Sequence, residues 1–299
     1  MSGIPYIGEI FALAAPICWS IAVILFRKTG ETVPALALNL FKNVVSVVLF
    51  FGTLYLMGDT LRRDVPTGQY WLLIASGAIG IGLSDTLFFM TLNRVGAALE
   101  AIINTSYSPS IIILSFLFLG ERLTPLQMLG VLLILSAVLS VGWMRGPGSQ
   151  EIPRKKLIAG IGFGLLATST QAVSIVMIKP MLDTTPLIWA NCWRLLGGLA
   201  MTILLLPLLP QRRAAMRSLR NFKVWPVMVP GTVMGTYISL MFWLAGMKYT
   251  LASTASAINQ TATLWTFVLA AWWLHEPVTG RRIAGLAAGV VGVALVTFG

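Results

Sequence analysis

The feature that most constrains this chain is a series of apolar stretches long enough to cross a lipid bilayer. A spanning helix needs about 20 mostly apolar residues, because the hydrocarbon core is about 30 Å thick. Apolar residues make up 57% of the 299 and charged residues only 10%, whereas an ordinary soluble domain has about 25% charged residues. The stretches between charge and turn clusters predict ten spans, at 8–27, 34–57, 69–92, 97–119, 125–144, 157–179, 186–209, 224–246, 252–274 and 280–298. The sequence therefore predicts an all-α polytopic membrane protein with ten transmembrane helices.

The chain also repeats itself. Residues 97–143 recur at 252–298 with a constant offset of 155 residues, and a second match at offset 152 joins the segments around Lys42 and Arg194. Pairs of identical residues at offset 155 are Asn104/Asn259, Glu121/Glu276, Thr124/Thr279 and Gly130/Gly285. These matches predict two five-helix repeats, 8–144 and 157–298, joined by a polar linker, 145–156. Because five is odd, the second repeat is expected to lie inverted relative to the first, as in transporters that enclose a central cavity.

The basic residues indicate an orientation and a partner. Loops after odd-numbered spans hold 14 Lys and Arg residues and loops after even-numbered spans hold 5, which predicts odd loops in the cytoplasm and both termini outside. The net charge of +11 is thus ascribed to topology signals, with the lipid bilayer as the partner and no nucleic-acid binding. The basic loop at 212–223 is expected to contact lipid headgroups.

Polar side chains inside the spans indicate a substrate pathway, because polar groups are costly in lipid. They form stripes on predicted spans one, three, four, six, eight and nine. The residues predicted to line a substrate cavity are Trp19, Ser84, Asn104, Tyr107, Gln171, Ser239, Trp243, Asn259 and Gln260. Amides and hydroxyls suit the ammonium and carboxylate of an amino acid, and the aromatic rings suit its side chain. For Asn104 and Asn259 an interhelical hydrogen bond that fixes packing is the open alternative.

Lys42, Arg194 and Asp85 lie deep within spans, and each has two interpretations. Lys42 and Arg194 are paired by the repeat; they either extend toward lipid headgroups or bind a carboxylate or phosphate. Asp85 breaks the symmetry, because Leu240 stands at its equivalent position. It either couples transport to protons or forms an ion pair with a cation such as Lys42.

Other repeated features predict structural roles. Glu121 and Glu276 lie in the short turns before spans five and ten, where a carboxylate satisfies the free N–H groups of a helix start. Pro109 is expected to disturb the fourth span. Glycines spaced four residues apart predict close helix packing at Gly160/Gly164, Gly231/Gly235 and Gly285/Gly289.

The sequence has none of the common catalytic signatures. There is no HExxH, GxSxG or P-loop motif, so we expect a protein that is not an enzyme. His275 is the only histidine and has no cysteine nearby, so no metal site is expected. No cofactor is expected either, and any driving force must come from gradients or from another subunit.

The segments GERLTPLQMLGVLLILSAVLSVG at 120–142 and HEPVTGRRIAGLAAGVVGVAL at 275–295 resemble the EamA branch of the drug/metabolite transporter superfamily. The opening ALAAPICWSIAVILFRK followed by Lys42 resembles the first two helices of that family. The resemblance covers nearly the whole chain, and within the branch the chain looks similar to an aromatic amino-acid exporter. It implies a central cavity between inverted halves, a bacterial inner-membrane location and cytoplasmic termini, the last in conflict with the loop charges.

These observations favour a secondary transporter that exports amino acids, aromatic and other neutral ones, or related small metabolites, by alternating access. An exporter of drugs, purines or phosphorylated or nucleotide-linked sugars is the alternative within transporters, and an accessory membrane subunit is the alternative outside them. The sequence does not fix the coupling ion, the direction of transport or the oligomeric state; a monomer is compatible with it.

Overall fold

The computed structural model describes residues 7–119, 124–140, 152–182, 185–209, 212–249, 258–259 and 261–298, and these contain helices and connecting turns but no strand. The first half comprises α1 (Ile7–Thr29), α2 (Ala35–Leu56), α3 (Thr67–Val95), α4 (Ala97–Asn104), α5 (Tyr107–Leu119) and α6 (Pro125–Ser140). The second half begins with α7 (Arg154–Leu182), α8 (Leu187–Leu205) and the short α9 (Arg212–Leu219). It continues with α10, which runs through Trp225–Thr232, Val233–Ile238 and Ser239–Tyr249, and ends with α11 (Ala262–Trp273) and α12 (Gly280–Phe298).

The helices have the length and composition of a membrane protein. Within the described residues, six are long and apolar enough to cross a bilayer: α1, α2, α3, Arg154–Ile178 of α7, Leu187–Leu208, and Phe222–Trp243, which includes most of α10. Pro125–Leu139 and Ala262–Trp273 are shorter apolar helices. The prediction of a multi-pass, all-helical membrane protein is therefore confirmed, while the count of ten spans stays a prediction.

The predicted fourth span is divided into α4 and α5 at Thr105 and Ser106. Pro109 has no N–H to donate to the carbonyl four residues earlier, and its ring crowds that carbonyl. The hydroxyls of Thr105 and Ser106 instead donate to the carbonyl oxygens of Ile102 and Ile103, each at 2.7 Å. Pro109 thus disturbs the helix as predicted, and the break lies one turn before the proline.

Two helices contain a π-helical segment in the middle of the span. In α3 the segment is Ala78–Ser84, and in α10 it is Val233–Ile238. Their first residues are 155 positions apart, which is the offset of the sequence repeat. π-Helical turns are rare and often mark functional sites, and the repeat therefore includes an unusual backbone geometry as well as side chains.

The two halves pack against each other in equivalent pairs. Helix α1 packs on α10 and α11, and its counterpart α7 packs on α3, α4 and α5. Helix α2 packs on α8, and α6 packs on α12. Each half therefore contributes helices to contacts with the other, as an interleaved pair of repeats requires.

Small residues allow these helices to approach closely. A Cβ atom on Gly80 would overlap Ser174 Oγ, and one on Gly235 would lie 2.7 Å from Ala22 Cβ. The two crossings are equivalent under the repeat. Lipid is as apolar as the helices, so close packing of small residues is a main source of helix association. The predicted packing role of Gly164 is confirmed as well, since its Cβ position lies 2.5 Å from Ile103.

Candidate functional site

The π-helical segment of α3 is held in place by a buried asparagine. The Asn39 amide nitrogen, on α2, lies 3.0 and 2.9 Å from the carbonyl oxygens of Ile81 and Gly82, and 2.9 Å from Thr86 Oγ1. Asn39 is fully buried. Asn39 is matched by Asn191 at the repeat offset of 152, but its role depends on a helix contact that spacing along the chain does not reveal. Asp85 directly follows this π-helical segment. By holding the segment, Asn39 also helps to fix the position of Asp85.

Asp85 and Lys42 form an ion pair between α3 and α2. Lys42 Nζ lies 2.5 Å from Asp85 Oδ2, and the two side chains are 3% and 27% exposed. Lys42 therefore does not extend toward lipid headgroups. Of the two interpretations of Asp85, the geometry favours the ion pair, and its second carboxylate oxygen accepts no hydrogen bond from the described residues.

Arg194, the repeat partner of Lys42, has no such counterion among the described residues. It is 91% buried. Its Nη1 donates to Asn191 Oδ1 at 3.4 Å and its Nη2 to Ser174 Oγ at 3.2 Å, while its Nε has no partner there. Asp85 is close enough to interact electrostatically with Arg194. Lys42, Arg194 and Asp85 thus form a cluster of two cations and one acid, in which Lys42 has Asp85 as its ion-pair partner and Arg194 has no such partner among the described residues.

Gln171 lies beside this cluster, at the close crossing of α7 with α3. Its Oε1 lies 3.1 Å from the Cβ position of Gly80, on the side where Gly80 also faces Ser174. This oxygen is shielded from solvent and accepts no hydrogen bond from the described part of the chain. Ser174 is bound tightly, because its Oγ donates to the carbonyl oxygen of Ser76 at 2.8 Å. Ser76, Ser174 and Gly80 therefore lie next to Gln171; Ser174 belongs to the polar stripe that the sequence shows on the predicted sixth span, whereas Ser76 and Gly80 carried no signal beyond their small size.

Two of the predicted substrate-binding residues form packing contacts between the halves. Ser84 Oγ donates to the Ala167 carbonyl oxygen at 2.8 Å, and Ser239 Oγ donates to the Ala15 carbonyl oxygen at 2.9 Å. Both serines are buried, and the two bonds are equivalent under the repeat. Their hydroxyl protons are therefore used to join helices, a role that polarity alone cannot distinguish from substrate contact.

The remaining predicted residues that the structure describes are only half-buried. Trp19 packs against Phe88, with ring centroids 6.0 Å apart. Neither Asn104 nor Asn259 has a side-chain hydrogen bond among the described residues, so the alternative of an interhelical hydrogen bond that fixes packing is not seen there. Tyr107 and Trp243 are also half-buried. Gln260 lies outside the described residues.

Glu276 caps a helix of the opposite half. Its two carboxylate oxygens accept hydrogen bonds from the backbone N–H groups of Ala97 and Ala98, at 2.8 and 3.0 Å. These are free N–H groups at the start of α4, where a carboxylate also complements the helix dipole. Gly96 makes this possible, because it has φ +87° and a Cβ there would lie 2.6 Å from the carboxylate. The sequence predicted capping of the following helix instead; there Thr279 occupies the start, with Arg282 N 3.4 Å from its hydroxyl.

The first-half turn contains the matching arrangement in its described part. Thr124 and Gln127 bond reciprocally at the start of α6, each backbone N–H 3.1 Å from the other side chain. This is the reciprocal capping expected of a threonine followed three residues later by glutamine. Glu121 lies outside the described residues.

Comparisons with known proteins agree with the fold and the repeat. The EamA-like transporter family matches residues 6–143 and 158–298. An uncharacterized transporter of Archaeoglobus fulgidus is 22% identical over 294 residues, covering 96% of each chain. Protein PecM of Dickeya dadantii is 22% identical over 247 residues, covering 79% of this chain and 75% of PecM.

A solved crystal structure of a protein shares the fold, with a TM-score of 0.65 at 18% identity, covering 97% of this chain and 96% of that one. The family match takes in both halves of the chain and leaves out only the central linker and the extreme ends. The chain therefore belongs to the EamA-like transporter family.

Proposed function

We propose that this transporter exports amino acids, aromatic and other neutral ones, or related small metabolites, by alternating access between its two halves. The observation that carries the proposal is the buried cluster of Lys42, Asp85 and Arg194, with its one cation lacking a counterion. A buried charge of this kind is costly unless it is paired. A transported carboxylate would complete it.

The same cluster argues against a phosphorylated substrate. A phosphate group carries close to two negative charges at neutral pH and is best bound by several cations. Lys42 is already paired with Asp85 at 2.5 Å, so Arg194 is the one cation of the cluster left to bind an anion. A single carboxylate therefore fits the cluster better than a sugar phosphate or a nucleotide-linked sugar.

Alternating access is supported by the equivalence of the two sets of contacts. The α1–α10 and α7–α3 crossings use small residues at matching positions, and the serine bonds at Ala15 and Ala167 match as well. Two similar interfaces allow one to open while the other stays closed. In our proposal the protein works in the bacterial inner membrane.

The experiment is efflux from proteoliposomes that contain the purified chain alone. The vesicles are loaded in turn with neutral and aromatic amino acids, purine bases and sugar phosphates, with and without a pH gradient. The proposal expects saturable efflux of amino acids and little efflux of sugar phosphates. Efflux of purines or sugar phosphates without efflux of amino acids would contradict it.

A further inference from the structure

Two buried polar atoms beside the cluster of Lys42, Asp85 and Arg194 have no hydrogen-bond partner among the described residues. Arg194 Nε is a donor with no acceptor, and Gln171 Oε1 is an acceptor with no donor, within the described residues. Both are shielded from solvent. Ser174 joins them in space, because its Oγ accepts from Arg194 at 3.2 Å and faces Gly80 together with Gln171. A donor on a cation and an acceptor, both without partners among the described residues, therefore lie close to one serine.

Asp85 adds a third feature. Its Oδ2 is bound to Lys42, but 27% of the side chain remains exposed and its other oxygen takes no hydrogen bond from the described part of the chain. Asp85 also interacts electrostatically with Arg194. The cluster thus has a cation in need of an anion and, close to it, two oxygens able to accept hydrogen bonds.

An α-amino acid has the complementary pair of groups on one carbon atom. We propose that Arg194 binds the α-carboxylate of the substrate and that Asp85 and Gln171 bind its α-ammonium group. This assignment rests on the proposed function and specifies how the same site recognises its substrate. The carboxylate supplies the acceptor that Arg194 Nε lacks, and the ammonium supplies donors to Gln171 Oε1 and to the free oxygen of Asp85.

The assignment has consequences for substrate choice. A substrate without the carboxylate leaves Arg194 buried without a counterion. A substrate without the ammonium places its carboxylate next to Asp85 and leaves Gln171 Oε1 without a donor. Sites built to bind polar groups reject analogues that lack them, because the groups of the site are then left unpaired. Entry to the site requires the halves to separate, since the two unpartnered atoms are shielded in this conformation.

The test compares three molecules that differ only in these two groups. L-phenylalanine, L-phenylalaninamide and 3-phenylpropionate compete for transport in proteoliposomes; if another amino acid leaves faster in the efflux panel, it is used with its own amide and deamino analogue. The native chain should prefer the amino acid over both analogues by at least about tenfold.

Each variant should lose one preference and keep the other. Arg194→Gln should lower the preference for acid over amide about tenfold and leave the preference over the deamino analogue unchanged. Gln171→Leu and Asp85→Asn should each lower the preference over the deamino analogue and leave the preference for acid over amide unchanged. Arg194→Lys, which keeps the charge, should retain the preference for acid over amide and serves if Arg194→Gln does not fold. The exposed Arg62→Gln is the control and should change neither preference.

Outcomes separate the assignment from the function. Amino-acid transport by the native chain with equal transport of the amide would overturn the assignment and leave the function standing. The same is true if the Arg194 and Gln171 variants lose both preferences equally. Absence of amino-acid transport would overturn both.

Discussion

Lys42 and Asp85 form an ion pair 2.5 Å long between α2 and α3, while the residue equivalent to Asp85 in the second half is Leu240. The two halves share a fold and a cation at the same position, and differ in whether that cation has an acid. This difference creates the charge imbalance at Arg194. In our proposal, substrate recognition is therefore concentrated where the repeat is broken.

The ion pair makes a prediction about stability that is separate from transport. Asp85→Leu copies the second half and leaves Lys42 buried without a counterion, which should lower the free energy of unfolding by about 3–5 kcal/mol. The double variant Lys42→Met/Asp85→Leu should recover most of that loss, because two apolar residues replace the pair. Reversible unfolding in detergent or bicelles measures both.

Transport should not recover with stability. The double variant lacks the acid that we assign to the substrate ammonium, so its export should stay low. Equal stability of the single and double variants would show that Lys42 does not depend on Asp85.

Asn39 should contribute more to the stability of the protein than Asn43, which lies one turn later in α2. Its amide faces three acceptors around the π-helical segment, whereas Asn43 is just as buried and neither of its side-chain polar atoms has a partner among the described residues. Hydrogen bonds in membranes are worth about 0.6–2 kcal/mol each. Asn39→Leu should lower the free energy of unfolding by about 1–3 kcal/mol, and Asn43→Leu should be neutral or stabilising. A larger loss for Asn43→Leu would contradict the assigned role of Asn39.

Glu276 should protect the backbone amides of Ala97 and Ala98, in the other half, from hydrogen exchange. Glu276→Gln removes the charge and replaces one acceptor oxygen by an NH₂ group, so the cap of α4 weakens by about 1 kcal/mol. Hydrogen exchange at the amides of Ala97 and Ala98 should accelerate, with little change in α1 or α2. The exposed Glu31→Gln is the matched control and should leave both amides unchanged. Unaltered exchange in Glu276→Gln would mean that the contact does not hold the start of α4.

Asn104 and Asn259 should affect export without affecting folding. Neither side chain has a hydrogen bond among the described residues, so its loss should leave the melting temperature unchanged. The sequence predicts that each amide lines the substrate cavity, and losing one hydrogen bond to substrate of about 1.4 kcal/mol corresponds to a tenfold loss of affinity. We expect Asn259→Ala and Asn104→Ala each to lower export by up to about tenfold. Unchanged efflux in both would remove them from the site.

Much of this architecture could be predicted from the sequence. The long apolar stretches predicted the membrane helices. The repeat was visible as a constant offset over dozens of residues, because the helices of both copies must bury the same faces. The effect of Pro109 followed from its missing N–H. These are properties of a single helix or of a pattern along the chain.

The features that could not be predicted depend on contacts between helices. Ser84 and Ser239 bond to carbonyl groups of the opposite half, and no periodicity tells such a hydroxyl from one that faces substrate. Glu276 caps a helix distant in sequence rather than its neighbour. The ion pair was foreseen as one of two interpretations of Asp85, and the lack of a described counterion at Arg194 became visible only with the structure.

The most direct test of the account is equilibrium counterflow. Proteoliposomes containing the purified chain are preloaded with an unlabelled neutral amino acid, diluted, and supplied with a trace of the labelled form without any ion gradient. An alternating-access carrier of amino acids exchanges label for internal substrate, so we predict a transient accumulation above equilibrium that Arg194→Gln reduces about tenfold. No overshoot with any amino acid, although the chain is folded in the vesicles, would contradict the account.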